Sequence, residues 1–392
     1  KGKELMNIKE KDSLYVANTY ARFPLTLKKG EGSVVFDDEG KEYIDLATGI
    51  AVNSFGYCDK EWVGAVTNQL NTLQHASNLY YTEPCVELAE ILCKRTGMKK
   101  VFFSNSGAEA NECAIKVARK YAADKKGEEY NTVITLKNSF HGRTITTLAA
   151  TGQDVFHKDF LPLTDGFSYV EANNCEELIK TVENGKIAAI MFETVQGEGG
   201  VNPLTQEFVK TIFDLAEKYD ILTIADEVQT GNGRTGMLYG FMNYGVTPDI
   251  FSTAKGLGGG LPLGATVLGE KVENVLKFGD HGSTFGGNPV ACAGAVSILN
   301  RIDDNLLKEV REKSEYIVNT LKNCKGVKSV AGKGLMLGIE TEKDAGEVIA
   351  KCREKGVLVI KAKTKIRLLP ALNIPFETLK TAVNILCEVI GG

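Results

Sequence analysis

The sequence predicts an α/β fold, in which a mostly parallel sheet is covered by helices on both faces. Short apolar runs without strict polar alternation recur through the middle of the chain, and amphipathic helical stretches separate them. The 392 residues are too many for one hydrophobic core, so we expect two domains. Charged residues make up 24% of the chain and the net charge is −4, which disfavours nucleic acid or an anionic membrane as partner.

Five apolar runs are predicted to be strands of this sheet: VFFS (101–104), TVITL (132–136), AAIMFE (188–193), ILTIAD (221–226) and DIFSTA (249–254). Between them, segments 106–123 and 205–219 repeat apolar residues at helical spacing. Strands that alternate with helices in this way indicate βα units and a parallel sheet.

The C-terminal quarter of the chain has a different pattern. A long charged helix, predicted at 305–324, precedes short strands and a last helix, which indicates a smaller α+β domain. Residues 23–50, which contain the hairpin-like segment 33–46, are expected to join that domain from the N-terminal side. The predicted division is an N-terminal segment with part of the small domain at 1–52, a large α/β domain at 53–289 and the C-terminal small domain at 290–392.

The sequence favours a cytoplasmic protein. No apolar run reaches the roughly 18 residues of a membrane-spanning helix, and the first fifteen residues lack the apolar core of a signal peptide. The nine cysteines are scattered singly, without a C-x-x-C pair, which is typical of reduced thiols and not of disulfides or zinc sites. With four scattered histidines, we expect no metal site.

Lys255 ends the DIFSTA run and precedes a glycine-rich stretch. The carboxyl ends of parallel strands line the ligand crevice of such sheets, and a partly desolvated lysine there is a candidate amine nucleophile. The glycines would then let a large ligand approach the backbone. The alternative is an ordinary lysine at the edge of a loop, in water.

Asp226 ends the ILTIAD run, where burial is costly unless the carboxylate meets a cation or a donor. If Lys255 forms a Schiff base, the natural partner of Asp226 is a pyridinium nitrogen, which the aspartate would keep protonated. A simple turn-capping role is the alternative. Gln229, three residues later, could hydrogen-bond a substituent of the same ring.

Ser106, Gly107 and Ala108 lie where a predicted strand gives way to a helix. The positive end of that helix and its free N–H groups favour a phosphate. An ordinary serine N-cap is the alternative explanation.

Three further fragments add candidate groups. Phe140 and His141 are flat groups that could lie against a ring, and Arg143 offers a fork for a carboxylate. Glu198 lies in a glycine-lined turn. Arg367 lies in an otherwise apolar strand, where an unpaired guanidinium would be costly, and a structural ion pair is its alternative role.

The segment GNGRTG (231–236) matches the dinucleotide fingerprint G-x-G-x-x-G. That fingerprint should open a helix, but no clear amphipathic helix follows here, so a nicotinamide-dependent dehydrogenase is disfavoured. A catalytically silent binding protein is hard to reconcile with the joint presence of Lys255, Asp226 and Arg367.

Together these residues resemble the class III (subgroup II) pyridoxal-phosphate aminotransferases, the ornithine/acetylornithine/4-aminobutyrate group. The resemblance covers essentially the whole chain and is most specific at DEVQTGNGRTG (226–236), STAKGLGGGLPLGA (252–265) and HGSTFGGNPVAC (281–292). It implies the fold type I of pyridoxal-phosphate-dependent transferases, with a large domain and a smaller α+β domain formed by both termini. It also implies a homodimer with shared active sites.

The resemblance implies that Lys255 forms the Schiff base with pyridoxal 5′-phosphate and that Asp226 pairs with the pyridinium nitrogen, both as catalytic residues. Thr284 would reach the phosphate held by the neighbouring subunit. The implied cofactor-binding residues are Ser106, Gly107, Ala108, Phe140, His141, Asp226, Gln229, Lys255 and Thr284. The implied substrate-binding residues are Tyr20, Gly49, Arg143, Glu198, Ser283 and Arg367.

The reaction implied is a ping-pong transamination between N-acetylornithine and 2-oxoglutarate, which returns glutamate and belongs to arginine biosynthesis. Arg367 would bind the α-carboxylate and Arg143 the second carboxylate, while Glu198 neutralises Arg367 for the other substrate. Gly49 stands where ornithine or 4-aminobutyrate enzymes tend to carry a bulky residue, which leaves room for an N-acyl group. Ornithine, succinylornithine and 4-aminobutyrate aminotransferases remain the alternatives.

Overall fold

The first part of the chain forms a small antiparallel sheet, in a computed structural model that describes residues 6–392. β2 pairs antiparallel with β3, and Val34 lies opposite Ile44, so the hairpin predicted at 33–46 is confirmed. The elements of this part are α1 (Ile8–Tyr15), β1 (Leu27–Glu31), β2 (Val34–Asp37), β3 (Glu42–Asp45), α2 (Thr48–Ala51), α3 (Lys60–Thr72) and α4 (Glu83–Thr96).

A seven-stranded sheet in the order β4-β12-β11-β10-β7-β5-β6 forms the large body of the structure. The pairings from β11 to β6 are parallel, and β12 is antiparallel to both of its neighbours. All five predicted strands are present, so the mostly parallel sheet is confirmed. The strands, including the separate two-residue pair β8 and β9, are β4 (Lys100–Ser104), β5 (Thr132–Leu136), β6 (Phe167–Val170), β7 (Ile187–Phe192), β8 (Val195–Gln196), β9 (Asn202–Pro203), β10 (Leu222–Asp226), β11 (Ile250–Thr253) and β12 (Gly264–Leu268).

Helices cover both faces of this sheet, and one of them begins beside the carboxyl ends of its strands. These helices are α5 (Gly107–Lys126), α6 (Ile145–Ala150), α7 (Asp154–His157), α8 (Cys175–Asn184) and α9 (Gln206–Tyr219). α5 buries Ala110, Ala114 and Val117 against the sheet, as its helical spacing predicts. Glycine begins this helix because a Cβ on Gly107 would lie 2.7 Å from Val228 Cγ1.

The C-terminal part is a second layer of helices on a four-stranded sheet in the order β13-β14-β17-β16. Its elements are α10 (Pro289–Arg301), α11 (Asp304–Lys322), β13 (Val327–Lys333), β14 (Met336–Thr341), α12 (Ala345–Glu354), β15 (Val357–Leu358), β16 (Ile360–Ala362), β17 (Lys365–Leu368) and α13 (Phe376–Gly391). No helix within residues 6–392 combines the length and the apolar character needed to cross a bilayer.

The two ends of the chain meet in the smaller domain. β15 pairs in parallel with β3, so that Val357 lies opposite Ile44. Further along, Thr48 Oγ1 donates to the carbonyl of Leu369 at 2.6 Å. The predicted smaller domain formed by both termini is confirmed, while the exact domain edges at 52/53 and 289/290 stay predictions.

Candidate active site

A cavity of about 500 Å³ opens at the carboxyl ends of β10 and β11. Such an edge is the usual ligand site of open α/β sheets, and the volume suits a small organic ligand. The predicted site residues that line it are Ser106, Gly107, Ala108, Phe140, His141, Arg143, Asp226, Gln229 and Lys255. Segments far apart in the sequence therefore supply one site.

Lys255 follows β11 and extends its side chain into the cavity. Its φ of 46° lies in the left-handed region, which is uncommon for a residue with a side chain and is typical of functional sites. Burial lowers the pKa of the Lys255 amine, and the charge of Glu198 offsets part of that effect. A lowered pKa leaves more of the amine neutral and nucleophilic near pH 7.

Asp226 is buried at the end of β10 and is held by three donors. His141 Nδ1 lies 2.7 Å from Oδ2, Asn111 Nδ2 donates to the same oxygen at 2.8 Å, and the Val228 N–H donates to Oδ1 at 3.0 Å. Burial alone would lower the pKa of His141, but the hydrogen bond and charge of Asp226 outweigh it, so the pKa is raised. His141 is thus a partner of Asp226 at the cavity, and its predicted contact with a ring stays a prediction.

Two buried polar residues of the site were missed by the sequence reasoning. Asn111 lies on the buried face of α5, where a polar residue among alanines was the signal. Glu193 follows β7 just as Asp226 ends β10, and it accepts N–H groups from Phe140 at 3.0 Å and Gly197 at 3.2 Å. Burial raises the pKa of Glu193 to about 7. Glu193 therefore joins the loop of Phe140 to the loop that carries Glu198.

Arg367 and Glu198, predicted as a pair, are in contact. Arg367 on β17 is 2% exposed, and its Nη1 donates to Glu198 Oε1 at 2.6 Å and to Gln229 Oε1 at 3.0 Å. Burial alone would raise the pKa of Glu198, but Arg367 outweighs it, so the pKa is lowered. The Nε of Arg367 is buried without a hydrogen-bond partner among the described residues. The guanidinium therefore keeps one unused donor beside its hydrogen bonds to Glu198 and Gln229.

Ser106 is both the N-cap of α5 and a lining residue of the cavity. Its Oγ accepts from the Glu109 N–H at 3.2 Å and donates to Glu109 Oε2 at 2.8 Å. The helix therefore presents its positive end to the cavity at Gly107 and Ala108, which is where an anionic group would be stabilised.

Six predicted residues do not line the cavity of a single chain: Tyr20, Gly49, Glu198, Ser283, Thr284 and Arg367. Tyr20 is 70% exposed and Thr284 is exposed, while Ser283 Oγ accepts from Asn105 at 3.1 Å. Gly49 is exposed. A Cβ placed on Gly49 would lie 3.8 Å from the Cβ of Val52, which lines the cavity. Their roles stay predictions.

The glycines after Lys255 were predicted to let a ligand approach the backbone, and at two positions this prediction is wrong. A Cβ on Gly258 would lie 2.1 Å from the carbonyl oxygen of Leu261, and one on Gly264 would lie 2.3 Å from that of Ser106. These glycines are required by close approach of the chain to itself. Gly260 does line the cavity, as expected for backbone that faces a ligand.

GNGRTG forms turns that precede a short 3₁₀ helix at Gly240–Tyr244, so it does not open an α-helix. Arg234 of this segment is buried and donates to the carbonyl of Leu335 at 3.1 Å. The segment therefore joins the two domains, and the structural context of a dinucleotide fingerprint is missing from it.

We expect the protein to lose stability as the pH rises from about 5 to 7. Burial raises the pKa of Glu227, which accepts hydrogen bonds from Gly240, Phe241 and Thr230, to about 7. In that window the folded chain keeps a proton that the unfolded chain releases, so the free energy of unfolding falls by about 1.4 kcal/mol per pH unit for this group. Urea unfolding between pH 5 and 8 measures the slope. Glu227→Gln should reduce the slope by this amount and leave the contribution of Glu193, whose pKa burial also raises to about 7. An unchanged slope would contradict the assignment.

Comparison with known proteins gives consistent results. A family model described as Aminotransferase class-III matches residues 15–390. The acetylornithine aminotransferase of Haemophilus ducreyi is 48% identical over 385 residues, which cover 98% of each chain. That of Methanocaldococcus jannaschii is 44% identical over 382 residues, which cover 96% of each chain.

Solved structures agree in fold. The ornithine aminotransferase from Toxoplasma gondii superposes with a TM-score of 0.94 at 30% identity, covering 99% of this chain and 96% of the other. The N-acetylornithine aminotransferase from Stenotrophomonas maltophilia gives a TM-score of 0.84 at 34% identity, covering 97% and 98%. The chain thus shares its fold with enzymes named for two different substrates, ornithine and N-acetylornithine.

Proposed function

The chain belongs to the class-III aminotransferases, enzymes that depend on pyridoxal phosphate, and on this premise we propose that it transfers the 5-amino group of N-acetylornithine to 2-oxoglutarate. The observation that carries the substrate choice is the 44–48% identity, over nearly the whole chain, to proteins named acetylornithine aminotransferase. A second candidate, ornithine as amino donor, is supported by the TM-score of 0.94 to an ornithine aminotransferase.

The residues of the cavity fit pyridoxal phosphate. Lys255 supplies a buried amine for its aldehyde, and Asp226 supplies a buried carboxylate for its ring nitrogen. The start of α5 at Ser106, Gly107 and Ala108 supplies the positive helix end for its phosphate. Phe140 offers an aromatic face within the same cavity.

When bound, pyridoxal phosphate supplies an aldehyde that takes up the amino group and a cationic ring that withdraws electrons from the C–H bond that breaks. Lys255 Nζ would be the base that accepts and returns that proton, since burial lowers the pKa of its amine and so favours the neutral form. Asp226 would offer its carboxylate to the ring nitrogen, and His141 and Asn111 fix the orientation of that carboxylate.

Two substrates of different charge use the site in turn, and the two arginines are arranged for that. Arg367 is paired with Glu198 in this structure, so its charge is neutralised when no α-carboxylate faces it. Glutamate or 2-oxoglutarate would bind Arg367 with one carboxylate and Arg143 with the other. N-acetylornithine would enter with its side-chain amine toward Lys255, which leaves the Arg367–Glu198 pair in place.

We expect N-acetylornithine to be used at least about ten-fold more efficiently, by kcat/KM, than ornithine with 2-oxoglutarate as acceptor. A ten-fold preference needs a difference of only about 1.4 kcal/mol in transition-state binding, which one acyl-group contact can supply. A panel of N-acetylornithine, N-succinylornithine, ornithine and 4-aminobutyrate measures it. Equal turnover of ornithine and its N-acetyl form would move the assignment to the second candidate.

We further propose a homodimer in the cytoplasm. Asn78 donates to the carbonyls of Ser283 and Gly286, both at 2.9 Å, and so joins two surface segments around Thr284. Those segments expose large apolar side chains, as contact surfaces do: Leu79, Tyr80, Tyr81, Phe278 and Phe285. All nine cysteines, which lie within residues 6–392, are free thiols, which suits a reducing compartment.

Light scattering should give a mass about twice the 42.5 kDa of one chain. The double variant Leu79→Asp/Tyr81→Asp should be monomeric, because Tyr81 is 99% exposed in the single chain and a charge there opposes apolar contact. Its cofactor affinity should fall as well, since Thr284 would no longer reach the neighbouring site. A monomeric wild type with full cofactor affinity would contradict the shared site.

A further inference from the structure

Arg143 is held differently from Arg367. The Arg143 guanidinium lies over the ring of Phe156, 4.6 Å from its centroid, and 5.6 Å from that of Phe140. It is exposed at the cavity and forms no ion pair with a carboxylate of the described residues. Arg367, by contrast, already donates to Glu198 and Gln229.

Contact through a ring face and contact through N–H groups have different consequences. The donors of a guanidinium lie in its plane and point outward, so a ring that covers the flat face leaves them unused. Aromatic contact at an exposed site is a modest stabilisation, enough to favour one orientation of a long side chain. Arg143 is thereby oriented while its N–H fork stays available.

Phe156 is the ring that makes this contact, and it also supports the ring of Phe140. The two rings are 5.7 Å apart, edge to face at 74°. Phe156 lies on α7, outside the cavity lining, and is half-buried. It therefore touches the residue expected to face the cofactor and the residue expected to face the second carboxylate.

The segment before Phe156 is fixed to the loop that carries Phe140 and Arg143. Gln153 Nε2 donates to the Ser139 carbonyl at 2.9 Å, and the Gly152 N–H donates to Ser139 Oγ at 3.0 Å. The His141 N–H donates to Thr151 Oγ1 at 2.9 Å. These bonds hold the two segments at a constant distance, so the ring is a fixed support for the guanidinium.

We propose that Phe156 is a positioning residue that orients the Arg143 guanidinium toward the second carboxylate of the dicarboxylic substrate, and so determines selectivity for dicarboxylates. The inference rests on the proposed function, which assigns that carboxylate to Arg143. The observation that carries it is the placement of one guanidinium over two rings, with its donors unpaired by any described carboxylate.

The test uses the cofactor-loaded enzyme and two unreactive five-carbon acids, the dicarboxylate glutarate and the monocarboxylate valerate, titrated by calorimetry. Phe156→Leu and Phe156→Met should each raise the dissociation constant of glutarate about three- to five-fold, the size of an exposed cation–π contact, and leave that of valerate unchanged. Phe156→Tyr keeps the ring and should bind glutarate like the wild type. When each half-reaction is followed in single turnovers, the half-saturating concentration of glutamate should rise and that of N-acetylornithine should not.

Two controls separate the explanations. Phe160→Leu makes the same chemical change four residues later, at a ring that is 59% exposed, and should leave both acids unaffected. Arg143→Ala should weaken glutarate by about ten-fold or more, the value of a charge-assisted hydrogen bond. Melting temperatures identify any variant that has lost its fold. If Phe156→Leu is lost, Phe156→Met and Phe156→Tyr still compare a side chain without a ring to one with a ring.

The outcomes separate the inference from the proposed function. Glutarate binding unchanged in the ring-less variants, but weakened by Arg143→Ala, overturns the role of Phe156 alone. Equal weakening of glutarate and valerate also overturns it, because the ring would then be general packing. Glutarate binding unchanged by Arg143→Ala overturns the role of Arg143 in the proposed function, and the inference with it.

Discussion

Lys255→Ala should lower kcat/KM by at least about 10⁴-fold, since it removes both the amine that bonds the cofactor and the base that moves the proton. The amine lies in the cavity with a pKa lowered by burial, and no other lysine among residues 6–392 lines that cavity. Steady-state assays with N-acetylornithine and 2-oxoglutarate measure the loss. Borohydride treatment of the wild type should attach the cofactor to the peptide that contains Lys255.

The matched control is Lys308→Ala, which removes an exposed lysine on α11. That variant should keep wild-type turnover and the same labelled peptide. Activity of Lys255→Ala within ten-fold of wild type, or a label on a different lysine, would be incompatible with the assigned chemistry.

Asp226→Ala should weaken cofactor binding and turnover by about 10²–10³-fold, as expected when one partner of a buried, charged hydrogen-bond group is removed. The change leaves His141, Asn111 and the Val228 N–H without their common acceptor. Equilibrium titration with pyridoxal phosphate, followed by absorbance, measures the affinity separately from turnover.

Asp214→Ala is the corresponding surface control, because Asp214 pairs with Lys210 on the exposed side of α9. Its affinity for the cofactor should equal that of the wild type. If Asp226→Ala retained tight cofactor binding and lost only stability, Asp226 would be a structural residue and not part of the reaction.

The site was largely predictable because it follows a simple rule of parallel sheets. Polar residues at the ends of apolar runs mark the crevice, and Lys255 and Asp226 were found in that way. The same rule applies to Glu193 after β7, which was overlooked. Asn111 was harder to find, since an amide among the alanines of one helix does not disclose which carboxylate it will meet.

Other features depend on contacts that local pattern does not encode. Nothing in the sequence places Phe156 under Arg143, because their approach depends on how α7 folds back on the preceding loop. The antiparallel pairing of β12 with β11 and β4 is likewise determined by tertiary contacts. The prediction that the glycines after Lys255 admit a ligand is wrong at Gly258 and Gly264 for the same reason, since the atoms that crowd these two positions come from the chain itself.

The meeting of β3 with β15 has a consequence during synthesis. A ribosome releases β3 long before it has synthesised β15, with which β3 pairs. Likewise, the hydrogen bond from Thr48 to Leu369 can form only after 321 further residues have been added. Until β15 has left the ribosome, the edge of β3 is an unpaired backbone row that other nascent chains can reach. Newly made chains should therefore need chaperone protection until β15 has emerged, and truncations that remove β15 should aggregate instead of leaving a shorter active enzyme.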